Sequence, residues 1–230
     1  MNRIRTAAFL CCGTAAVLVC LNERALASRL GLFQKHTDVG ITPKKGNAKF
    51  DGKDDRYTVT GGGANMWLKT DAFEYVYRRI SGDATLTADL EFVGKGVEQH
   101  RKGALMFRQN LEPDSAYADV ALHGDGLTSL QYRPTAGADT LEIRSEVKAP
   151  TRIRIERRGN QFTMAVGNPG EELKPAGPVT VTMQDPVYIG LAVCSHNANV
   201  LETVIFSNVK LEENAKLKAA APPTLLAEVR

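Results

Sequence analysis

Three observations predict an all-β fold of two antiparallel sheets packed as a sandwich or jelly roll. Short segments of polar/apolar alternation recur along the chain, and Gly, Pro, Asn and Asp separate them at intervals of roughly 8–12 residues. Between Ser28 and Val209 no segment keeps a helical period over roughly ten residues. The clearest stretch is Gly103 to Arg133. There Tyr117-Ala118-Asp119-Val120-Ala121-Leu122-His123 alternates, Gly124-Asp125-Gly126 interrupts, and Leu127 to Arg133 alternates again. Period-two patterning on both sides of a Gly-rich turn describes a hairpin with one face buried.

The remaining elements follow the same logic. Tyr57-Thr58-Val59-Thr60 starts a strand that Gly61-Gly62-Gly63 ends. Phe73 to Ile80 and Ala84 to Phe92 alternate about Ser81-Gly82-Asp83, which predicts a second hairpin. Arg152 to Arg157 alternates charge with isoleucine, turns at Gly159-Asn160 and returns through Gln161 to Val166. Val187 to Ser195 is nearly all apolar, as expected of a central strand, and Thr203 to Val209 follows it. Lys210 onward is Glu/Ala/Lys-rich and runs into Ala219-Ala220-Ala221-Pro222-Pro223, the composition of a tail or linker.

The N-terminus carries a basic start (Arg3, Arg5), an apolar run from Thr6 to Leu21, and Ala25-Leu26-Ala27, an A-x-A cleavage pattern. Residues 1–27 are therefore expected to be a signal peptide. The run is shorter than the roughly 20 residues that span a bilayer, so no transmembrane anchor is expected after cleavage. The organisation predicted is signal peptide 1–27, sandwich 28–209 and tail 210–230, in a periplasmic or secreted protein. Processing would remove Cys11, Cys12 and Cys20, leaving Cys194 without a disulfide partner. Losing three arginines (Arg3, Arg5, Arg24) against one glutamate (Glu23) lowers the formal charge from +3 to +1. Such near-neutrality argues against a nucleic-acid partner.

Several motifs carry a family resemblance: Tyr57-Thr58-Val59-Thr60-Gly61-Gly62-Gly63-Ala64-Asn65-Met66-Trp67, Ser81-Gly82-Asp83, Gly103 to Gln109, Ser115 to Ala118, Ile155 to Thr163, and Val187 to Asn197. Over about Gly31 to Val209 the chain resembles an exported bacterial β-sandwich domain of the concanavalin A-like lectin and glucanase superfamily. The resemblance implies an accessory domain of the kind found beside glycan-active enzymes or ahead of a TolB-like β-propeller.

Catalytic constellations are thin. Glycoside hydrolysis needs an acid and a second carboxylate across the scissile bond; Asp89 and Glu91 come nearest, and a solvated strand face explains them as well. Ser195-His196 are adjacent in a strand and so point to opposite faces. His100, His123 and His196 lack the close spacing of a zinc site. Gly124-Asp125-Gly126 and Ser81-Gly82-Asp83 offer the oxygens a structural calcium takes, but tight turns need the same residues. No other cofactor is implied. Arg152 and Arg154 share a strand face with Glu156, which predicts a cross-strand charge network.

A binding face is the positive expectation. If Ala118, Val120 and Leu122 face the core, Tyr117, Asp119 and His123 line the opposite face, with Gln131 and Arg133 on the hairpin partner and Arg108 on the preceding strand. With Trp67, such a patch suits sugar hydroxyls, which need directional hydrogen bonds and an apolar ring to stack on. The expected function is a non-catalytic exported sandwich that binds a carbohydrate or a cell-envelope protein. The alternative is a glycoside hydrolase or lyase with an atypical site on the concave sheet.

Overall fold

The structure is a computed structural model and describes residues 30–214. The expected signal peptide, and the tail beyond Asn214, lie outside the described residues. In chain order the strands are β1 (Lys35–Val39), β2 (Asn47–Asp51), β3 (Arg56–Gly61), the short β4 (Met66–Trp67) and β5 (Thr70–Asp71), β6 (Phe73–Ile80) and β7 (Asp83–Phe92). Next come β8 (Lys102–Arg108), β9 (Tyr117–His123), β10 (Thr128–Arg133), β11 (Leu141–Arg144) and β12 (Arg152–Arg158). The last are β13 (Gln161–Gly167), β14 (Lys174–Thr180), β15 (Val187–Cys194) and β16 (Glu202–Asn214).

Two seven-stranded antiparallel sheets result. The first has the order β1-β6-β15-β8-β9-β10-β11 and the second β14-β13-β12-β7-β16-β3-β2, with β4 and β5 forming a separate small hairpin. Alternation sorts each strand's side chains between faces. Leu105, Phe107, Val120, Leu130, Ile189 and Leu191 of the first sheet meet Leu86, Ile153, Ile155, Phe162, Met164 and Phe206 of the second, all essentially inaccessible. Phe107 and Phe162 meet across this interface edge-to-face, with ring centroids 5.4 Å apart. Each such burial contributes about 1.5–3 kcal/mol.

The β9–β10 and β12–β13 hairpins form in the registers that alternation implies. The run at Val187 is a central strand, seated between β6 and β8. The predicted hairpin about Ser81-Gly82-Asp83 does not form: β6 pairs with β1 and β15, whereas β7 pairs with β12 and β16 in the other sheet. An amphipathic strand looks the same whether its successor pairs beside it or crosses to the facing sheet. The crossing is pinned from outside the segment. Asp185 accepts from Gly82 N at 2.9 Å, and Arg157, itself paired to Asp185 at 2.6 Å, donates to Gly82 O.

β16 is also longer than the alternation of Thr203–Val209 suggests. An irregularity between Ser207 and Lys210 shifts the phase, and Lys210 to Asn214 then pair with β7. Of the charge network expected on the second sheet, Arg152 makes a cross-strand pair, gripping both Asp89 oxygens at 2.6 and 2.8 Å with Asn208 donating to the same carboxylate, whereas Arg154 donates to Thr87 and Glu156 pairs with Arg158 of its own strand. Burial opposes ionisation of Asp89, but the hydrogen bonds from Arg152 and Asn208 hold its carboxyl below the usual value.

Cys194 ends β15 fully buried and is the free cysteine among the described residues. Burial pushes its thiol above the ordinary range. A folded sample should react with a thiol reagent far more slowly than an unfolded one, because the thiolate is the reactive form and is both disfavoured and inaccessible. Ellman's reagent with and without denaturant measures the difference.

Candidate functional site

The outer face of the first sheet is not open along its length. A second apolar cluster, including Phe73, Tyr75, Met106, Tyr117 and Cys194, lies on it and is covered by the β4–β5 hairpin and neighbouring loops. The covering is fastened by charge. Asp71 of β5 accepts from Arg108 at 2.7 Å through one oxygen, and from Arg133 at 2.8 and 2.7 Å through both. Arg133 also donates to the carbonyls of Leu68, Pro113, Ser115 and Ala138, and Arg108 to those of Asn110 and Glu112. The Tyr117 ring lies 4.9 Å from the Arg133 guanidinium, and its hydroxyl pairs with Thr140 at 3.1 Å.

This arrangement corrects the expected binding face. Arg108, Tyr117, Asp119 and Arg133 do point away from the sandwich core, but all four are wholly buried. Alternation specifies which face a side chain takes, and nothing about what later covers that face. Three of the expected residues, Trp67, His123 and Gln131, line an opening at the other end of the same strands.

That opening is a cavity of about 250 Å³ walled by Asn65, Trp67, His100, Lys102, His123, Leu127, Gln131, Glu142, Arg144 and His196. Its floor comes from β8, β9 and β10. The turn after β9 holds His123 in place: Asp125 Oδ1 accepts from Leu127 N at 3.0 Å, and Gly126 takes φ +87°, a conformation that favours glycine. Gly124-Asp125-Gly126 thus closes the turn after β9. Asp125 N and Gly124 N also donate to the carbonyls of Gln99 and Arg101, which draws the preceding loop, with His100, against the turn. Arg101 secures that loop through its buried ion pair with Glu202 at 2.7 Å.

The three histidines that sequence spacing kept apart are therefore neighbours. The His100 ring lies 5.8 Å from that of His123 and 5.5 Å from that of His196. Yet among the described residues no group of His, Cys, Asp or Glu has an arrangement that could hold a metal ion. His196 takes φ +58°, a costly conformation for a non-glycine residue, and its Nδ1 is buried without a partner.

His123 is chemically well defined. Its Nδ1 sits 3.0 Å from Leu127 O, and because a carbonyl only accepts, Nδ1 carries the proton. Burial, with Lys102 nearby, pushes its pKa down to about 4. The ring is thus neutral near pH 7, with Nε2 as an acceptor and Gln131 Nε2 at 3.5 Å. In the folded state the group resists protonation, so stability rises as pH climbs from about 4 to 6.5 and is lost as pH falls through that window. His123→Gln should remove that portion of the pH dependence, seen as the difference between the two proteins' denaturation curves across the window.

Below the cavity floor, Asp119 is directly opposite Gln131 in the β9–β10 register. Both Asp119 oxygens and Gln131 Oε1 are buried without partners. Burial pushes the Asp119 carboxyl well above the usual range, against the pull of the nearby Lys102, Arg108 and Arg133 charges. Beside the cavity, and sharing Trp67 as a wall, lies a groove of about 520 Å³ whose lining includes Ile41, Pro43, Leu68 and Pro113.

No known family model matches the chain, and no curated protein is similar to it in sequence. Solved structures do match in shape. A functionally unknown protein from Saccharomyces cerevisiae superposes with a TM-score of 0.58 at 12% identity, covering 79% of this chain and 97% of that one. Lectin II from Ulex europaeus superposes at 0.50 and 8% identity, covering 78% and 98%. The fold is a concanavalin A-like jelly roll. A xylan β-1,4-xylosidase from Bacillus halodurans contains a similar sandwich, at 0.53 and 14% identity, with 72% of this chain matching 34% of that enzyme. At these identities the likeness establishes the jelly roll alone.

Sequence reasoning did not place Asn65, Lys102, Glu142 or Arg144 at the site, and it weighed His100 and His196 only as widely spaced histidines. Most come from loops or strand ends that only the tertiary fold brings together. Lys102 did carry a signal: it shares the face of Ala104, Met106 and Arg108 at the head of an otherwise apolar strand.

Proposed function

We propose that this protein is an exported, non-catalytic sandwich that binds a carbohydrate in the cavity beside Trp67. One observation carries the reading. A partly exposed indole stands between a polar cavity and an apolar groove, next to a neutral histidine and a glutamine held in fixed orientation. A sugar presents an apolar C–H face and a rim of hydroxyls, and this site offers a partner to each. The groove beyond Trp67 leaves room for a neighbouring unit of a chain. Export rests on the signal-peptide pattern, and work in the periplasm or outside the cell, alone or beside a TolB-like propeller, rests on the family resemblance.

The hydrolase alternative lacks support at the cavity. Asp89 and Glu91 belong to the outer face of the second sheet, and Arg152 engages Asp89. Glu142 is the carboxylate that lines the cavity, and Arg144 holds it at 2.6 Å. A screen of the purified protein against a glycan array and chromogenic glycosides separates binding from turnover. Trp67→Ala and His123→Ala should each weaken glycan binding by about 1–3 kcal/mol while leaving the fold intact. Release of chromophore with wild-type protein would favour the enzyme.

A further inference from the structure

Lys102 stands out among the groups that the binding reading leaves unexplained. Its side chain is 3% exposed, yet among the described residues Nζ makes one hydrogen bond, to the neutral Asn65 Oδ1 at 2.7 Å, and has no carboxylate within ion-pairing distance. Burying an ammonium without a counter-charge is destabilising by several kcal/mol, and such groups concentrate where a ligand completes them.

No carboxylate pairs with it directly. Glu142 is engaged by Arg144, His123 is a neutral ring, and Asp119, on the same face below the cavity, makes no hydrogen bond and has its carboxyl pushed up by burial. Burial also works against the charge on Lys102 itself. A charged Lys102 disfavours a cation in this cavity. An anion would be drawn in.

We propose that the saccharide unit this cavity accepts is acidic, with its carboxylate paired to Lys102 Nζ and its hydroxyls shared among His123, Gln131 and the other polar groups of the lining. The inference rests on the carbohydrate-binding reading and names the ligand class for the same site. Lys102 has two N–H groups beyond the one given to Asn65, enough to hold a carboxylate. The acceptor at His123 Nε2 lies at the cavity wall for a hydroxyl contact, and Trp67 remains free to cover the ring.

Calorimetric titration of the full protein with D-glucuronate, D-galacturonate, D-glucose, D-galactose and acetate tests this. A uronate should bind about ten-fold or more tightly than its parent hexose, the size of a charge-assisted hydrogen bond in a partly desolvated site. Added salt should weaken uronate binding and leave hexose binding unchanged. Lys102→Met should erase the uronate preference without lowering the melting temperature, since it removes an unpaired buried charge. The salt series on wild-type protein decides the matter if that variant does not fold. Equal affinity for uronate and hexose would overturn the acidic ligand and leave the carbohydrate reading standing. Acetate binding as tightly as uronate would overturn it in favour of a simple anion site. Binding of none of the sugars would retire both.

Discussion

Asp71→Ala is expected to destabilise the protein by about 3–5 kcal/mol, the range for breaking a buried ion pair. The Asp71 carboxylate is the shared partner of two guanidiniums, Arg108 and Arg133, and all three side chains are fully inaccessible. Removing it leaves two buried positive charges on adjacent parts of one sheet face with no anion between them. Their donors to the Asn110, Glu112, Leu68 and Ala138 carbonyls would be retained only at the cost of that repulsion. The β4–β5 hairpin would lose its fastening, and with it the position of Trp67. Thermal denaturation should show a fall of roughly 8–16 °C for a domain of this size. Asp71→Asn should fall between the two, keeping shape while losing charge. A variant that melts with wild type would mean that the covering loops do not depend on the triad.

Gly190→Ala should be comparably severe, for a steric reason. Gly190 lies on β15 opposite Tyr77 of β6 and Met106 of β8. A Cβ built there would stand 1.9 Å from the Val76 carbonyl oxygen. That neighbour is backbone in an adjacent strand, so relief requires the central pair of the sheet to separate. Overpacking that flexible side chains absorb costs about 1–3 kcal/mol; here no side chain is available to move, and the loss should reach or exceed the upper end. Chemical denaturation of the variant measures it, and a midpoint equal to that of wild type would show that β6 and β15 tolerate a wider spacing.

Much of the fold was legible because period-two alternation reports directly on which side of a sheet a residue occupies. It correctly paired Tyr117–His123 with Thr128–Arg133, and Arg152–Arg158 with Gln161–Gly167. It failed at Ser81-Gly82-Asp83, because pairing within a sheet and crossing between sheets give identical local patterns. The contacts that choose the crossing come from Arg157 and Asp185, far along the chain.

The site was legible in the same partial way. His123 and Gln131 were placed on the correct face by alternation, but Arg108 and Arg133 share that face and are consumed by Asp71, a residue of the unremarkable segment Leu68-Lys69-Thr70-Asp71. His100 joins His123 through turn-to-loop hydrogen bonds, and His196 packs on the His100 ring beside the Asn197–Glu98 hydrogen bond, contacts that no spacing rule encodes.

Trp67 is the chain's single tryptophan and forms a wall of the cavity, so its emission is a direct reporter of occupancy. Titrating the purified protein with a saccharide that the glycan array identifies, while following tryptophan fluorescence, tests the central claim. A saturable change in emission is predicted, with a midpoint matching the calorimetric affinity and shifted to weaker binding in His123→Ala. Calorimetric binding of the same saccharide with Trp67 emission unchanged, and with His123→Ala indistinguishable from wild type, would place the ligand outside this cavity.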